Sequence, residues 1–291
     1  MNIAIAPEVL SQVKAGDMTR FAPSPSGYLH LGHCYSAMFT HHIATASGNQ
    51  MLLRIDDIDS TRCKPHFIDA IFSDLDFLDI PYAQPVRYQS QHLDSSRDAL
   101  RYLHEQDLIY PCYLSRREIN DLLSAPHEAT NTDQLIDPQQ REDRENSAME
   151  PAWRLRMDNI RRHLPSLAAY DLIHGQIDID LNAIADEVIA RRDIGSSYLL
   201  STVLDDHETG ITLITRGDDL LHVVPVQRIL QELLGFNAPR YAHHKLIMNG
   251  DGDRFAKRNN ALGIYHLRQQ GMTRGEIMYA MTKCRDNLKK I

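Results

Sequence analysis

The chain has 291 residues, 43% of them hydrophobic, with a formal net charge of −8 at pH 7. That is the composition of an ordinary globular protein, long enough for one large domain or two modest ones, and it excludes disordered and fibrous classes. The acidic balance argues against indiscriminate binding of nucleic acid over the whole surface. A local basic face from Arg116-Arg117, Arg161-Arg162, Arg191-Arg192 and the Lys283 to Lys290 tail stays open, though scattered solvated charges explain each pair as well.

The first residues lack a basic start followed by an apolar core, so no secretory signal is expected, and no apolar run approaches the ~20 residues that span a bilayer. Cys34, Cys63, Cys112 and Cys284 stand far apart, with no CxxC or CxC pair. That spacing suits free thiols in a reducing compartment and predicts a cytoplasmic protein without membrane contact.

In chain order, Thr19 to Phe21 reads as a strand running into the turn-rich Ala22-Pro-Ser-Pro-Ser-Gly27. His33 to Ala46 has helical length and period, with Gly48 and Asn49 as its stop, and Met51 to Ile55 reads as a buried strand. The opening is therefore a βαβ unit whose working end is the first turn. Helices are expected over His66 to Phe77 and Asp94 to Gln106. Ser124 to Met149 is polar and aperiodic, which predicts an exposed loop or insertion. A strand around Trp153 and a strand pair about His174-Gly175 follow. A second α/β stretch begins near Asp193, with a helix over Pro225 to Leu234, and two short helices split at Gly271 end the chain. The pattern predicts an α/β fold. Its two βα halves form one parallel Rossmann-like sheet around an α+β insertion, and loops from both halves meet in one cleft. The expected boundaries are 1–110 and 191–258 for the halves, 111–190 for the insertion and 259–291 for a helical end.

Ser26-Gly27-Tyr28-Leu29-His30-Leu31-Gly32-His33 carries the first chemistry. Gly32 lets backbone approach a ligand, and a helix starting there points its free N–H groups at phosphate. His30 and His33, three residues apart, can both face that helix end and donate to nucleotide oxygens. A metal is the weaker reading, since no further ligand lies at a suggestive spacing, and a turn with two surface histidines is the plain alternative.

Arg20-Phe-Ala-Pro-Ser-Pro-Ser-Gly-Tyr-Leu-His-Leu-Gly-His33 resembles the HIGH signature of the glutamyl and glutaminyl branch of class I aminoacyl-tRNA synthetases. Leu52-Leu-Arg-Ile-Asp-Asp-Ile-Asp59 resembles that family's RIED-type strand, and Thr215-Arg-Gly-Asp-Asp-Leu220 its RG-D-L segment. Asp253-Arg-Phe-Ala-Lys-Arg258 stands where the KMSKS loop belongs. Each match is short; the ordered set of all of them is specific.

An enzyme that selects glutamate needs a cation for the side-chain carboxylate. Arg20 and Arg216 are candidates for a bidentate grip, with ordinary ion pairing to neighbours such as Asp218 as the alternative. The resemblance implies that Ala22, Ser24 and Tyr198 line the same pocket, and that Asp56 holds the α-ammonium. Asp56 is one methylene shorter than the glutamate of the family pattern. The resemblance likewise implies ATP contacts from Ser26, Gly27, His30, His33 and Lys257, with His30, Gly32, His33 and Lys257 serving catalysis. Phe-Ala-Lys-Arg replaces a Ser-Lys pair there, so a hydroxyl is absent while the lysine stands; Arg254 or Arg258 could assist. A basic hairpin tip is the alternative for that loop. The amino-acid carboxylate is itself the nucleophile on the α-phosphate, so catalysis rests on positioning and charge neutralisation, with Mg²⁺ accompanying ATP.

Members with an anticodon-binding region continue far past the lysine loop, whereas this sequence ends at Ile291. It resembles along nearly its whole length the shorter glutamyl-Q tRNA(Asp) synthetase group, which implies transfer of glutamate to the queuosine base of tRNA(Asp) by a monomer. Many of those proteins bind zinc through a Cys-x-Cys pair, a tyrosine and a later cysteine. Here Leu114 replaces the second cysteine of Cys112-Tyr-Leu114, so no structural zinc is expected. Ligation by Cys112 with His127, His163 or His174 is the opposing idea. The competing readings are a truncated enzyme charging a tRNA 3′ end and a degenerate paralogue with a binding role. A generic nucleotide-binding domain explains the βαβ opening but not the ordered motifs.

Overall fold

The computed structural model describes residues 5–115, 117–119, 136–147, 149–164, 166–247 and 263–286, with 282–286 as backbone alone. After a short helix α1 (Pro7–Leu10), strand β1 (Arg20–Phe21) leads through the proline-rich loop into helix α2 (Leu31–Ala46). Leu31, Cys34, Tyr35, Met38, Phe39 and Ile43 supply the buried face of α2, and Gly48, at φ +81°, turns the chain beyond its end. Strand β2 (Leu52–Ile55) returns parallel to β1, as the sequence predicts. Helix α3 (Pro65–Phe77) crosses to β3 (Ala83–Tyr88), which extends the ladder, and α4 (Leu93–Glu105) follows.

The central stretch is more structured than its sequence suggests. Strands β4 (Ile109–Cys112), β5 (Ala152–Leu155) and β8 (Val188–Ala190) form an antiparallel sheet. A helix α5 (Pro138–Asn146) lies inside the segment expected to be loop. Asp137 caps it by accepting from the amides of Gln139 and Gln140, and Pro138 occupies its first turn. No residue of α5 is buried, so no apolar period betrays it. Helix α6 (Met157–His163) precedes a hairpin of β6 (Leu167–Asp171) and β7 (Gly175–Ile179), the expected pair around His174-Gly175.

Helix α7 (Tyr198–Glu208), strand β9 (Leu213–Gly217), helix α8 (Val224–Leu233) and strand β10 (Arg240–His244) form the second α/β unit. Strand β10 lies between β9 and β6, parallel to both, in the order β7-β6-β10-β9. The single parallel sheet expected from sequence is thus two ladders. They meet where the amides of Thr212 and Leu213 donate to the carbonyl of Met18 at 3.0 and 3.1 Å. The division has a simple cause: β1 is two residues long because Pro23 and Pro25 follow and offer no amide to a neighbouring strand. Helices α9 (Ile264–Gln269) and α10 (Arg274–Asp286), split at Gly271, close the fold against α2 and α3. Among the described residues no helix is long and apolar enough to cross a membrane.

Candidate active site

A cleft of about 630 Å³ opens at the carboxyl ends of β1, β2 and β9. Arg20, Ala22, Ser24, Ser26, His30, Gly32, His33, Asp56, Tyr198 and Arg216 all line it, brought together from positions almost two hundred residues apart. Gly27, in the same loop, does not line it. Lys257, Arg254 and Arg258 lie outside the described residues.

The histidine pair is built by helix capping. His30 is the N-cap of α2, and its Nδ1 accepts from the Gly32 amide at 3.1 Å. His33 Nδ1 in turn accepts from the His30 amide at 3.2 Å. A neutral imidazole that accepts at Nδ1 carries its proton on Nε2, so both rings keep an Nε2–H donor. The rings stack with centroids 3.7 Å apart. A Cβ on Gly32 would lie 3.0 Å from His30 Cε1, so any larger residue here would make the ring give by a few tenths of an ångström. Two N–H donors at a helix N-terminus suit the oxygens of a triphosphate.

The two candidate arginines stand in different surroundings, and neither pairs with Asp218, the alternative weighed from sequence. Arg20 is closed by Asp206 of α7, Nε to Oδ1 at 2.8 Å and Nη2 to Oδ2 at 3.0 Å, both residues buried. Arg216 has no carboxylate on its guanidinium among the described residues. Its Nε donates to His243 Nε2 at 2.9 Å, and its Nη1 donates to Gln227 Oε1 at 2.9 Å and to Tyr198 Oη at 3.3 Å. Its Nη2 is buried without a hydrogen-bond partner among the described residues. Of the two candidate cations, Arg216 is the one whose charge is not matched by a carboxylate among the described residues.

Asp56 lies at the end of β2 with Arg54, whose Nε donates to Asp56 Oδ1 at 2.6 Å and whose Nη1 donates to Asp206 Oδ1 at 2.5 Å. Burial pushes the Asp56 carboxyl up to about 6, against the pull of Arg54. Asp206 is buried too, but Arg20 and Arg54 outweigh that and hold it below the usual carboxylate range. Arg54 also approaches Asp205, which accepts from Gln89 at 2.8 Å and from Arg87 at 2.5 Å. Arg54, Asp205 and Asp206 were not singled out from sequence. The one signal was the adjacent acidic pair following the mostly apolar run Tyr198 to Leu204, where two neighbouring carboxylates face inward only if cations await them.

His243 and His244, side by side on β10, are a second omission. Ser36 Oγ lies 2.8 Å from His244 Nε2 at the cleft wall, and burial pulls the His244 imidazole down. Where the zinc pair of relatives would stand, Cys112 and Leu114 are buried with Tyr110, Ile119 and Ile136 in an apolar cluster. His163 is bonded to the Asn159 carbonyl at 2.8 Å, and His127 lies outside the described residues. Among the described residues no three His, Cys, Asp or Glu side chains are grouped to hold a metal.

Residues 18–285 match the model of the tRNA synthetases class I (E and Q), catalytic domain. The chain belongs to that family. Members of the E and Q family are class I aminoacyl-tRNA synthetases, which makes the chain an enzyme of the ligase type that uses ATP. It is 41% identical over 273 residues to the glutamyl-Q tRNA(Asp) synthetase of Rhodobacter capsulatus, covering 89% of this chain and 98% of that protein. It is 34% identical to the glutamate–tRNA ligase of Nitrosomonas europaea, covering 87% of this chain but 54% of the ligase. The fold matches the glutamate-tRNA synthetase of Elizabethkingia anophelis with a TM-score of 0.71 and 24% identity, over 84% of this chain and 53% of the other. The chain thus spans about half the length of the glutamate–tRNA ligases of the E and Q family that it resembles.

Proposed function

We infer that the chain activates glutamate with ATP to glutamyl-adenylate and transfers the glutamyl group to the queuosine base in the anticodon of tRNA(Asp). The observation that carries the activation step is Arg216, a buried guanidinium with no carboxylate partner among the described residues, in one cleft with the paired Nε2–H donors of His30 and His33. In this reading Arg216, Tyr198, Arg20, Ala22 and Ser24 surround the amino-acid side chain and Asp56 receives its ammonium. Ser26, Gly27, Gly32, His30, His33 and Lys257 attend the triphosphate, with Mg²⁺ neutralising part of its charge. The α-carboxylate attacks the α-phosphorus and pyrophosphate departs, so the protein's task is alignment.

Support for the unusual acceptor is the higher identity to a glutamyl-Q tRNA(Asp) synthetase than to the glutamate–tRNA ligases. Residues 1–110 and 191–258 act as the two catalytic halves, 111–190 as the insertion and 259–291 as a helical end, in a monomer working in the cytoplasm. The test uses labelled glutamate and tRNA(Asp) whose terminal ribose has been oxidised by periodate under conditions that spare the queuosine diol, with queuosine-free tRNA as control. Label retained on the oxidised tRNA and absent from the queuosine-free one supports base modification. Label lost on oxidation indicates charging of the 3′ end.

A further inference from the structure

Arg216 and His243 are cross-strand partners in the β9–β10 ladder. Arg216 Nε donates to His243 Nε2 at 2.9 Å, and a nitrogen that accepts from a guanidinium carries no proton. The imidazole is therefore neutral, with its hydrogen on Nδ1. Nδ1 lies 2.6 Å from Asp171 Oδ2, which accepts it. Asp171 is fixed in turn: its Oδ1 accepts from the amides of Ile173 at 2.8 Å and His174 at 3.0 Å, and its Oδ2 also accepts from the His243 amide at 3.1 Å. Asp171 and His243 are fully buried and Arg216 is 6% exposed. Asp171 comes from the β6–β7 hairpin of the central stretch, so the chain of contacts ties that hairpin to the cleft.

We propose that Asp171 and His243 are positioning residues that aim Arg216 at the side-chain carboxylate of the amino-acid substrate while leaving its charge unneutralised. This rests on reading the cleft as a glutamate-activating site. The contrast with Arg20 shows what the arrangement achieves. A carboxylate placed directly on a guanidinium, as Asp206 is on Arg20, fills the fork and repels an incoming anion. Asp171 stands one imidazole further back, so its charge orients the Nε edge of Arg216 without covering the Nη edge. The Nη2 group of Arg216, buried and without a hydrogen-bond partner among the described residues, is the donor left for a ligand oxygen. An unsatisfied buried donor is costly, and a substrate carboxylate removes that cost where an uncharged amide does so less fully. Burial holds the His243 imidazole below its ordinary range despite Asp171, which keeps Nε2 an acceptor.

The experiment is ATP–pyrophosphate exchange by the full chain, comparing the unaltered protein with His243→Phe, His243→Gln and Asp171→Asn. Loss of one hydrogen bond to a buried charged group should raise KM for glutamate about tenfold or more in His243→Phe, with KM for ATP and kcat unchanged. His243→Gln, which offers an amide oxygen to Arg216 Nε, should recover part of that loss. Asp171→Asn should move KM for glutamate in the same direction as His243→Phe, and the preference for glutamate over glutamine should shrink in both. Where His243→Phe fails to fold, the Gln and Asn variants carry the comparison. An unchanged KM for glutamate, or equal rises in both KM values, overturns the proposal and leaves the reading of the cleft standing. No exchange with glutamate by the unaltered protein overturns that reading and the proposal with it.

Discussion

Arg20 and Asp206 form a two-point ion pair across the cleft floor, at 2.8 and 3.0 Å, and Asp206 is shared with Arg54 at 2.5 Å. One carboxylate thus holds together two strands and a helix: β1 through Arg20, β2 through Arg54 and α7 through itself. Removing it strands the buried Arg20 and takes from Arg54 one of its three carboxylate neighbours, leaving Asp56 and Asp205. Asp206→Ala should cost about 3 kcal/mol or more of stability, seen as a lowered midpoint in thermal or denaturant unfolding. An unfolding midpoint close to that of the unaltered protein would show that the pair is not what fixes the floor.

The same geometry separates the two arginines. Arg216→Gln should raise KM for glutamate about a hundredfold and abolish the preference over glutamine, because it removes the cation without a carboxylate partner. Arg20→Gln should instead lower stability, since it leaves Asp206 short of a partner. Steady-state exchange kinetics with both amino acids, beside unfolding curves, distinguish these outcomes.

Asp56 predicts a pH dependence. Burial raises its folded-state pKa to about 6, so the carboxylate is charged above that value and neutral below it. A substrate ammonium stays protonated over the same range and needs the charged form. KM for glutamate should therefore be flat above about pH 6 and rise about tenfold per unit of pH as acid is added below it. Asp56→Asn should be high and flat between about pH 5 and 8, because no carboxylate remains at that position to titrate. A KM that rises with increasing pH would contradict the sign.

Gly32 sets the histidine pair. A methyl at its Cα would meet His30 at 3.0 Å and displace the ring from the Gly32 amide. Gly32→Ala should lower kcat for exchange by about ten- to a hundredfold while KM for glutamate holds, since one transition-state donor is misplaced and the amino-acid end is untouched.

The site's outline was legible from a glycine and two histidines three residues apart at a helix start, and from the ordered motifs that resemble the class I synthetases; the places of Ser24, Asp56 and Tyr198 rested on that resemblance. What supports that outline was not legible. Asp206 and Asp171 reach their partners across 186 and 72 residues of sequence, and nothing local marks a carboxylate whose cation arrives from another strand. In the fold, long periodic helices such as α2 and α3 stood close to their expected bounds. Helix α5 escaped because it buries no residue, β3 because its six residues are only partly buried or exposed, and β8 because three residues are too few to show a period. The parallel Rossmann-like sheet expected from two βα halves is present as two ladders, because Pro23 and Pro25 shorten β1; the ladders meet at the Met18 carbonyl and through Thr19 and Arg20 against Thr215.

The most direct test of the account is ATP–pyrophosphate exchange with glutamate, aspartate and glutamine, with and without tRNA. It predicts exchange with glutamate alone among them, in the absence of tRNA. Exchange that requires tRNA would point to a charging enzyme, and no exchange under any condition would contradict the claim that this cleft activates glutamate.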